Sequence, residues 1–180
     1  LSAWLNTLSN VYAMELRMAL SLTLINPDKN IGDVRLASLN DLPYIIDLSK
    51  KESHSLGFIP KMAYESAITG IKTGKRWSNT CNDKLFVCVE NNDLVGFVMF
   101  SYGNPAKCNQ ICIQEDARLI ERGKALLSAA ISHGNLRGIE DFACGCADDL
   151  PSNFFWGRMG WEKVGERFGI SHKNTWKQTS

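Results

Sequence analysis

The chain has 180 residues, 44% of them hydrophobic and 22% charged, with a net charge of +1 at neutral pH. That length implies one domain, and the balanced charge excludes a bulk electrostatic drive toward nucleic acid or an anionic membrane. Six cysteines, at positions 81, 88, 108, 112, 144 and 146, are too sparse for a disulfide scaffold and read as reduced, buried thiols. The first residues lack a basic segment and a small-residue cleavage site, and no run of about 18 uncharged apolar residues occurs. The expectation is a cytoplasmic protein without a membrane span.

In chain order, residues 3–25 show approximate helical spacing of apolar positions, from Trp4 and Leu8 to Met18 and Leu22. They read as an N-terminal helical extension, residues 1–32, that packs on the domain or forms a homodimer contact. The main domain is expected over residues 33–180. It opens with a strand at Val34–Ala37, and Asn40 or Asp41 caps a helix with Pro43 in its first turn. Leu42, Ile45, Ile46 and Leu48 form that helix's stripe. A loop over 55–60 leads to a second helix over 61–72, with Met62, Ala63, Ala67, Ile68 and Ile71 expected inward. A polar loop over 73–84 gathers Lys72, Lys75, Arg76 and Lys84 around Trp77, a pattern that can bind phosphate and stack a base but also reads as a solvated edge.

Leu85–Glu90 and Leu94–Phe100 form a hairpin around Asn91-Asn92-Asp93. A strand follows at Cys108–Ile113, then a polar turn and a helix over 121–134. Further elements are a strand at Phe142–Ala147, a helix at Pro151–Met159, a strand at Trp161–Arg167 and a tail strand near Thr175–Lys177.

The turn between Ile113 and the helix is the most informative stretch. A strand, a turn and a helix start present unpaired N–H groups and the positive end of a helix dipole, an arrangement suited to a phosphate. Arg118, Arg122 and Lys124 add positive charge, and Gly123 leaves room for close approach. Ile113, Arg118, Gly123 and Leu126-Leu127 fall on the signature of the GNAT superfamily of acyl-CoA-dependent N-acetyltransferases, which the chain resembles. Glu121 replaces that signature's first glycine and sets a carboxylate near the anion's place unless it turns to solvent or pairs with an arginine. A second half of the resemblance lies in Asp149–Trp161, where Gly160-Trp161 matches a Gly-Phe pair and Asn153-Phe154-Phe155-Trp156 matches a helix variant of the family. The resemblance spans roughly residues 33–168.

The resemblance implies an α/β (α+β) fold with a central, mixed, mostly antiparallel sheet of six to seven strands flanked by helices. Strands four and five are splayed and hold acetyl-CoA as co-substrate. Ile111, Cys112 and Ile113 would orient the acetyl-pantetheine end. Arg118, Arg122, Gly123, Lys124 and Ala125 would take the diphosphate, with Asn153 and Trp156 nearby. His54, Phe58 and Gln110 border the acceptor in this reading, although Phe58 reads more readily as a core plug. Gln110 stands where many family members carry a glutamate base, and an amide cannot take up a proton. Asp148 and Asp149 are the replacement candidates, with Glu115, His54 or a water chain as alternatives. Trp156 stands where a tyrosine acid is common; packing suits an indole better. Cys112, Cys144 and Cys146 on neighbouring strands raise a metal or acyl-cysteine site, and buried thiols are the default.

The implied activity is an N-acetyltransferase acting on a primary amine of an unidentified acceptor by direct attack in a ternary complex. The alternatives are a catalytically silent binding module and, ranked below it, a nucleic-acid-directed acetyltransferase built on the cluster around Trp77.

Overall fold

The computed structural model describes residues 32–71, 82–118, 120–168 and 172–178. The expected N-terminal helix over 3–25, with its dimer contact, and the basic loop around Trp77 lie outside the described residues, apart from Lys84.

Strand β1 spans Asp33–Leu36. The segment after it is set by one carboxylate. Asp41 accepts the Ser38 backbone N–H at 2.7 Å and a two-pronged contact from Arg35 at 2.7 and 2.9 Å. The Arg35 hydrogen bond is the chief reason its carboxyl is held down at about 2. Helix α1, Leu42–Lys51, starts there with Pro43 in its first turn. A short helix α2, Ser53–Leu56, and helix α3, Lys61–Thr69, follow. Gly70, with a φ of 72°, caps α3. Ile71 therefore leaves the helical phase, and it is exposed rather than inward. Met62 is likewise exposed, because the buried stripe of α3 runs through Ala63, Tyr64, Ser66 and Ala67.

Strands β2, Asp83–Glu90, and β3, Asp93–Ser101, form the expected hairpin. Asn91 and Asn92 carry φ values of 50° and 70°, which asparagine tolerates better than most residues and a tight two-residue turn demands. Strand β4 is Ala106–Ile113 and helix α4 is Ile120–Asn135. Strand β5, Phe142–Ala147, helix α5, Ser152–Arg158, and strands β6, Trp161–Arg167, and β7, Lys173–Gln178, complete the chain.

The seven strands lie in the order β1-β2-β3-β4-β5-β7-β6. Only β4 and β5 are parallel. Helices α1 and α3 cover one face over Leu85, Val87, Phe97 and Met99. Helix α4 covers the other over Phe86, Val98, Phe100 and Phe142, and α5 packs there against β5 and β6.

Two irregularities in β4 shape everything that follows. Met99 pairs with Gln110 while Phe100 pairs with Cys108, so Asn109 is an extra residue, a β-bulge. A bulge reverses the side-chain alternation beyond it. Ala106 and Cys108 belong to the α4 core, whereas Cys112 joins the α1–α3 core and Ile111 and Ile113 take the α4 side. Cys112 is therefore on the opposite face from Cys144 and Cys146, and the three do not group. No group of metal-ligating side chains occurs among the described residues.

The second irregularity is a parting of strands. β4 and β5 pair only at Ala106↔Phe142, Lys107↔Ala143 and Cys108↔Cys144. Beyond that point β5 continues along β7, through Gly145↔Thr175 and Cys146↔Asn174. Residues 109–113 of β4 keep β3 on one side and, among the described residues, have no strand on the other.

Candidate active site

The gap left by the parted strands opens into a cleft of about 490 Å³, within the range of small-molecule sites. Ile111, Cys112 and Ile113 form its floor. Arg118, Ile120 and Gly123 bring in the start of α4. Leu150, Pro151, Ser152, Phe154 and Phe155 form the wall on the α5 side, and Glu52, Ser55 and Leu56 close the α1–α2 side.

Where the floor meets α4, the chain turns through Gln114–Ala117 as a single tight turn, with the Gln114 N–H bonded to Val95 O at 2.8 Å. Arg118 sits at the mouth. Its Nε donates to Ile113 O at 3.3 Å, and its Nη2 is 2.6 Å from the Glu52 carboxylate. Gly123 is buried because Phe155 lies on it: a Cβ there would stand 2.8 Å from the ring's Cε2. The missing Cβ thus makes room for a ring of α5, where the sequence reading gave that room to a ligand.

Several residues expected at the cofactor lie outside the cleft lining. Arg122 is buried, donates to Ala117 O at 2.6 Å and pairs with Glu90 at the β2–β3 hairpin. It pins the first turn of α4 to the sheet and faces away from the cleft. Lys124 is exposed, and neither it nor the half-buried Ala125 lines the cleft. Glu121 is half-buried and outside the cleft lining, so its carboxylate does not fill the anion's place. Asn153 has its amide used up: Nδ2 donates to Ala147 O at 2.6 Å and Leu150 O at 2.9 Å, and Oδ1 accepts from Asn174 Nδ2 at 3.0 Å and Trp176 Nε1 at 3.1 Å. It joins α5 to β5 and β7.

The candidate acid and bases are also placed. Trp156 is buried against Trp161, with ring centroids 4.8 Å apart, and lies outside the cleft. Its ring is part of the core. Asp148 and Asp149 are exposed and outside the cleft, with Asp148 3.9 Å from His172. Gln110 is buried on the α1–α3 face by the bulge. Its Oε1 accepts from the Tyr64 hydroxyl at 2.6 Å, which also bonds Ser49 at 2.7 Å, and its Nε2 reaches Leu56 O and Gly57 O at 3.3 and 3.2 Å. It therefore ties β4 to the loop at Leu56 and Gly57. His54 is exposed, and Phe58, the expected core plug, is 83% exposed. Neither lines the cleft.

Sequence reasoning missed Glu52, Ser152 and Phe155. Glu52 carried a usable signal: it extends the 42, 45, 48/49 stripe of α1 by one turn, and an acid on an apolar stripe asks for a partner. The floor thiol of Cys112 is pushed up to about 12, chiefly by burial and then by Glu52, so it is no activated nucleophile.

A mostly antiparallel seven-stranded sheet that parts at one parallel pair, with a helix start and a cationic side chain at the end of the gap, defines an acyl-thioester-using transferase. The chain belongs to the acetyltransferase (GNAT) family, whose model matches residues 52–161, and acetyl-CoA is its co-substrate. A comparison with curated protein sequences finds no match. Solved structures share the fold. The Escherichia coli ribosomal-protein-S18-alanine N-acetyltransferase aligns with TM-score 0.63 at 13% identity, over 82% of this chain and 92% of that one. The Brucella melitensis ribosomal-protein-alanine N-acetyltransferase gives 0.65 at 14%, over 82% and 99%. A putative streptothricin acetyltransferase from Bacillus anthracis, solved with acetyl coenzyme A, gives 0.64 at 14%, over 82% and 98%. No described helix is long and apolar enough to cross a membrane.

Proposed function

We propose that the protein transfers an acetyl group from acetyl-CoA to a primary amine by direct attack in a ternary complex, with the chain acting mainly through positioning. The observation that carries this is the parting of β4 from β5 after Cys108↔Cys144, with the cleft it opens. The fit is physical: the walls are largely apolar, as a pantetheine arm requires. Alternate backbone groups of residues 109–113 are released from pairing toward the gap.

Acetyl-CoA supplies the activated acyl group as a thioester. Backbone N–H groups of the floor, between Ile111 and Ile113, orient the acyl end and polarise its carbonyl. Arg118 and the first turn of α4 around Gly123 hold the diphosphate. Leu150, Phe154 and Phe155 exclude water along one wall. The acceptor enters along Glu52, Ser55 and Leu56, a wall that Gln110 fixes through its two carbonyl contacts. Among the described residues, Glu52 is the one carboxylate lining the cleft, and Arg118 occupies it. The amine attacks in its neutral form, the C–S bond breaks to release the CoA thiolate, and the proton shed by the nitrogen reaches that thiolate through water. Holding the two reactants in place is the largest contribution left to such a site.

A second reading, a silent binding module, is favoured by the locked Gln110 and the buried Trp156. One experiment separates them: release of free CoA measured with acetyl-CoA and a panel of primary amines. Because the structural relatives are named for ribosomal-protein alanine and for streptothricin, the panel includes peptides beginning with alanine and a streptothricin-type amine. Turnover with any member excludes the silent module; acetyl-CoA binding without turnover excludes the transferase. We place the reaction in the cytoplasm, where the buried thiols at 88, 108, 112, 144 and 146 stay reduced.

A further inference from the structure

Arg118 and Glu52 reach each other from opposite walls of the cleft. Glu52 closes the C-terminal end of α1, its N–H bonded to Leu48 O at 3.0 Å. Arg118 closes the turn that leads into α4. Their side chains meet at 2.6 Å, with Glu52 only 13% exposed and Arg118 50% exposed. A carboxylate that far out of water in an apolar cleft needs a counter-ion, and Arg118 is the one it has. Arg118 is also the cation at the mouth, so any anionic ligand of the cleft must compete with Glu52 for it.

We infer that the Glu52–Arg118 pair is an autoinhibitory contact: it holds Arg118 in a clasp across the cleft that a carrier's diphosphate must open to bind. The inference rests on the acetyl-CoA reading and deepens it by naming the contact that the diphosphate must displace. A diphosphate carries more charge than one carboxylate, and its oxygens match the guanidinium fork. It displaces Glu52, whose carboxylate must then be met by water at the opened mouth. An acyl-pantetheine lacking phosphate gives Arg118 nothing to exchange for and leaves the clasp shut. Glu52 thus lowers affinity for a diphosphate-bearing carrier and leaves affinity for a carrier without phosphate unchanged.

The test is calorimetry on the full chain, using wild type, E52Q, R118Q and the double variant, with acetyl-CoA and with S-acetyl-pantetheine as probes. E52Q is expected to tighten acetyl-CoA about fivefold and to leave S-acetyl-pantetheine unchanged. R118Q is expected to weaken acetyl-CoA and to cancel the effect of E52Q in the double variant. Should E52Q lower the melting temperature, E52D retracts the carboxylate by one methylene and reads the same competition. Equal acetyl-CoA affinity in E52Q and wild type, or equal tightening of both probes, overturns the clasp alone. Failure of acetyl-CoA to bind any of the four proteins overturns the acetyl-CoA reading and the clasp with it.

Discussion

The ring of Phe155 rests on Gly123, so close that a Cβ at that position would lie 2.8 Å from Cε2 and 3.2 Å from Cζ. The contact joins the first turns of α4 to α5 and forms one corner of the cleft. Gly123→Ala forces the far end of the ring to swing, and the cleft is the open side. Alanine regains about 1 kcal/mol of helix propensity, which offsets the repacking. We expect a melting temperature close to wild type with acetyl-CoA affinity reduced roughly fivefold, equivalent to about 1 kcal/mol. Thermal melting and calorimetry on the same sample check both halves, and an unchanged Kd would remove Phe155 from the cleft wall.

Gly96 is a different case. A Cβ there would meet Ile113 Cδ1 at 2.5 Å and the Cys112 carbonyl oxygen at 2.6 Å. Gly96 is the register partner of Ile113, and backbone cannot rotate away as a ring tip can. Gly96→Ala is expected to cost about 1–3 kcal/mol through overpacking and to push out the end of β4 that floors the cleft. Denaturant unfolding measures the first effect. A variant as stable as wild type would show that the two strands separate more easily than their packing implies.

Gln110 occupies the place where a glutamate base would restore the family's common arrangement. Gln110→Glu is nevertheless expected to speed no step. Its carboxylate would accept from Tyr64, as Oε1 does now, but it would face the Leu56 and Gly57 carbonyls with lone pairs where Nε2 donates. Leaving those contacts unmade in a buried site costs about 1–3 kcal/mol. The expected result is a destabilised protein with no gain in acetyl transfer. A rate increase would mean that the loop at Leu56 moves aside during turnover.

His133 sits between the rings of Phe86 and Tyr102, with its Nε2 buried and unpartnered among the described residues. Burial first, then Arg137 and Lys84, push its pKa down to about 4 from an ordinary value near 6.5. The unfolded chain then binds more protons than the folded one between those values. Stability is fully present above about pH 6.5 and falls as pH drops toward 4, below which the loss levels off. The loss is about 2 kcal/mol, taken below the full linkage value because the residue is only half-buried. His133→Phe is expected to flatten this part of the stability–pH curve, read from urea midpoints at pH 7 and 4.5. Parallel curves for the two proteins would place the titration elsewhere.

Much of this protein is written locally. Asparagines at 91 and 92 announce a hairpin because few other residues accept their backbone angles, and β5 and β6 fall where runs of strand-forming residues between turns put them. The start of α4 was legible from polar turn, charge and apolar spacing, and it brought Arg118 and Gly123 to the cleft. Those signals involve neighbours a few residues apart, so the chain carries them without knowing its fold. What lies across the sheet is decided otherwise. One inserted residue at Asn109 reverses which side chains of β4 face which layer, sending Gln110 and Cys112 to the α1–α3 side. Arg122 turns inward because Glu90, 32 residues earlier, lies beside it, and Asn153 is spent on β7, 21 residues later. Glu52 has its partner only because Arg118 crosses the gap to meet it. Such pairings depend on strand register and long-range packing, which residue type and spacing leave free and only the assembled sheet settles.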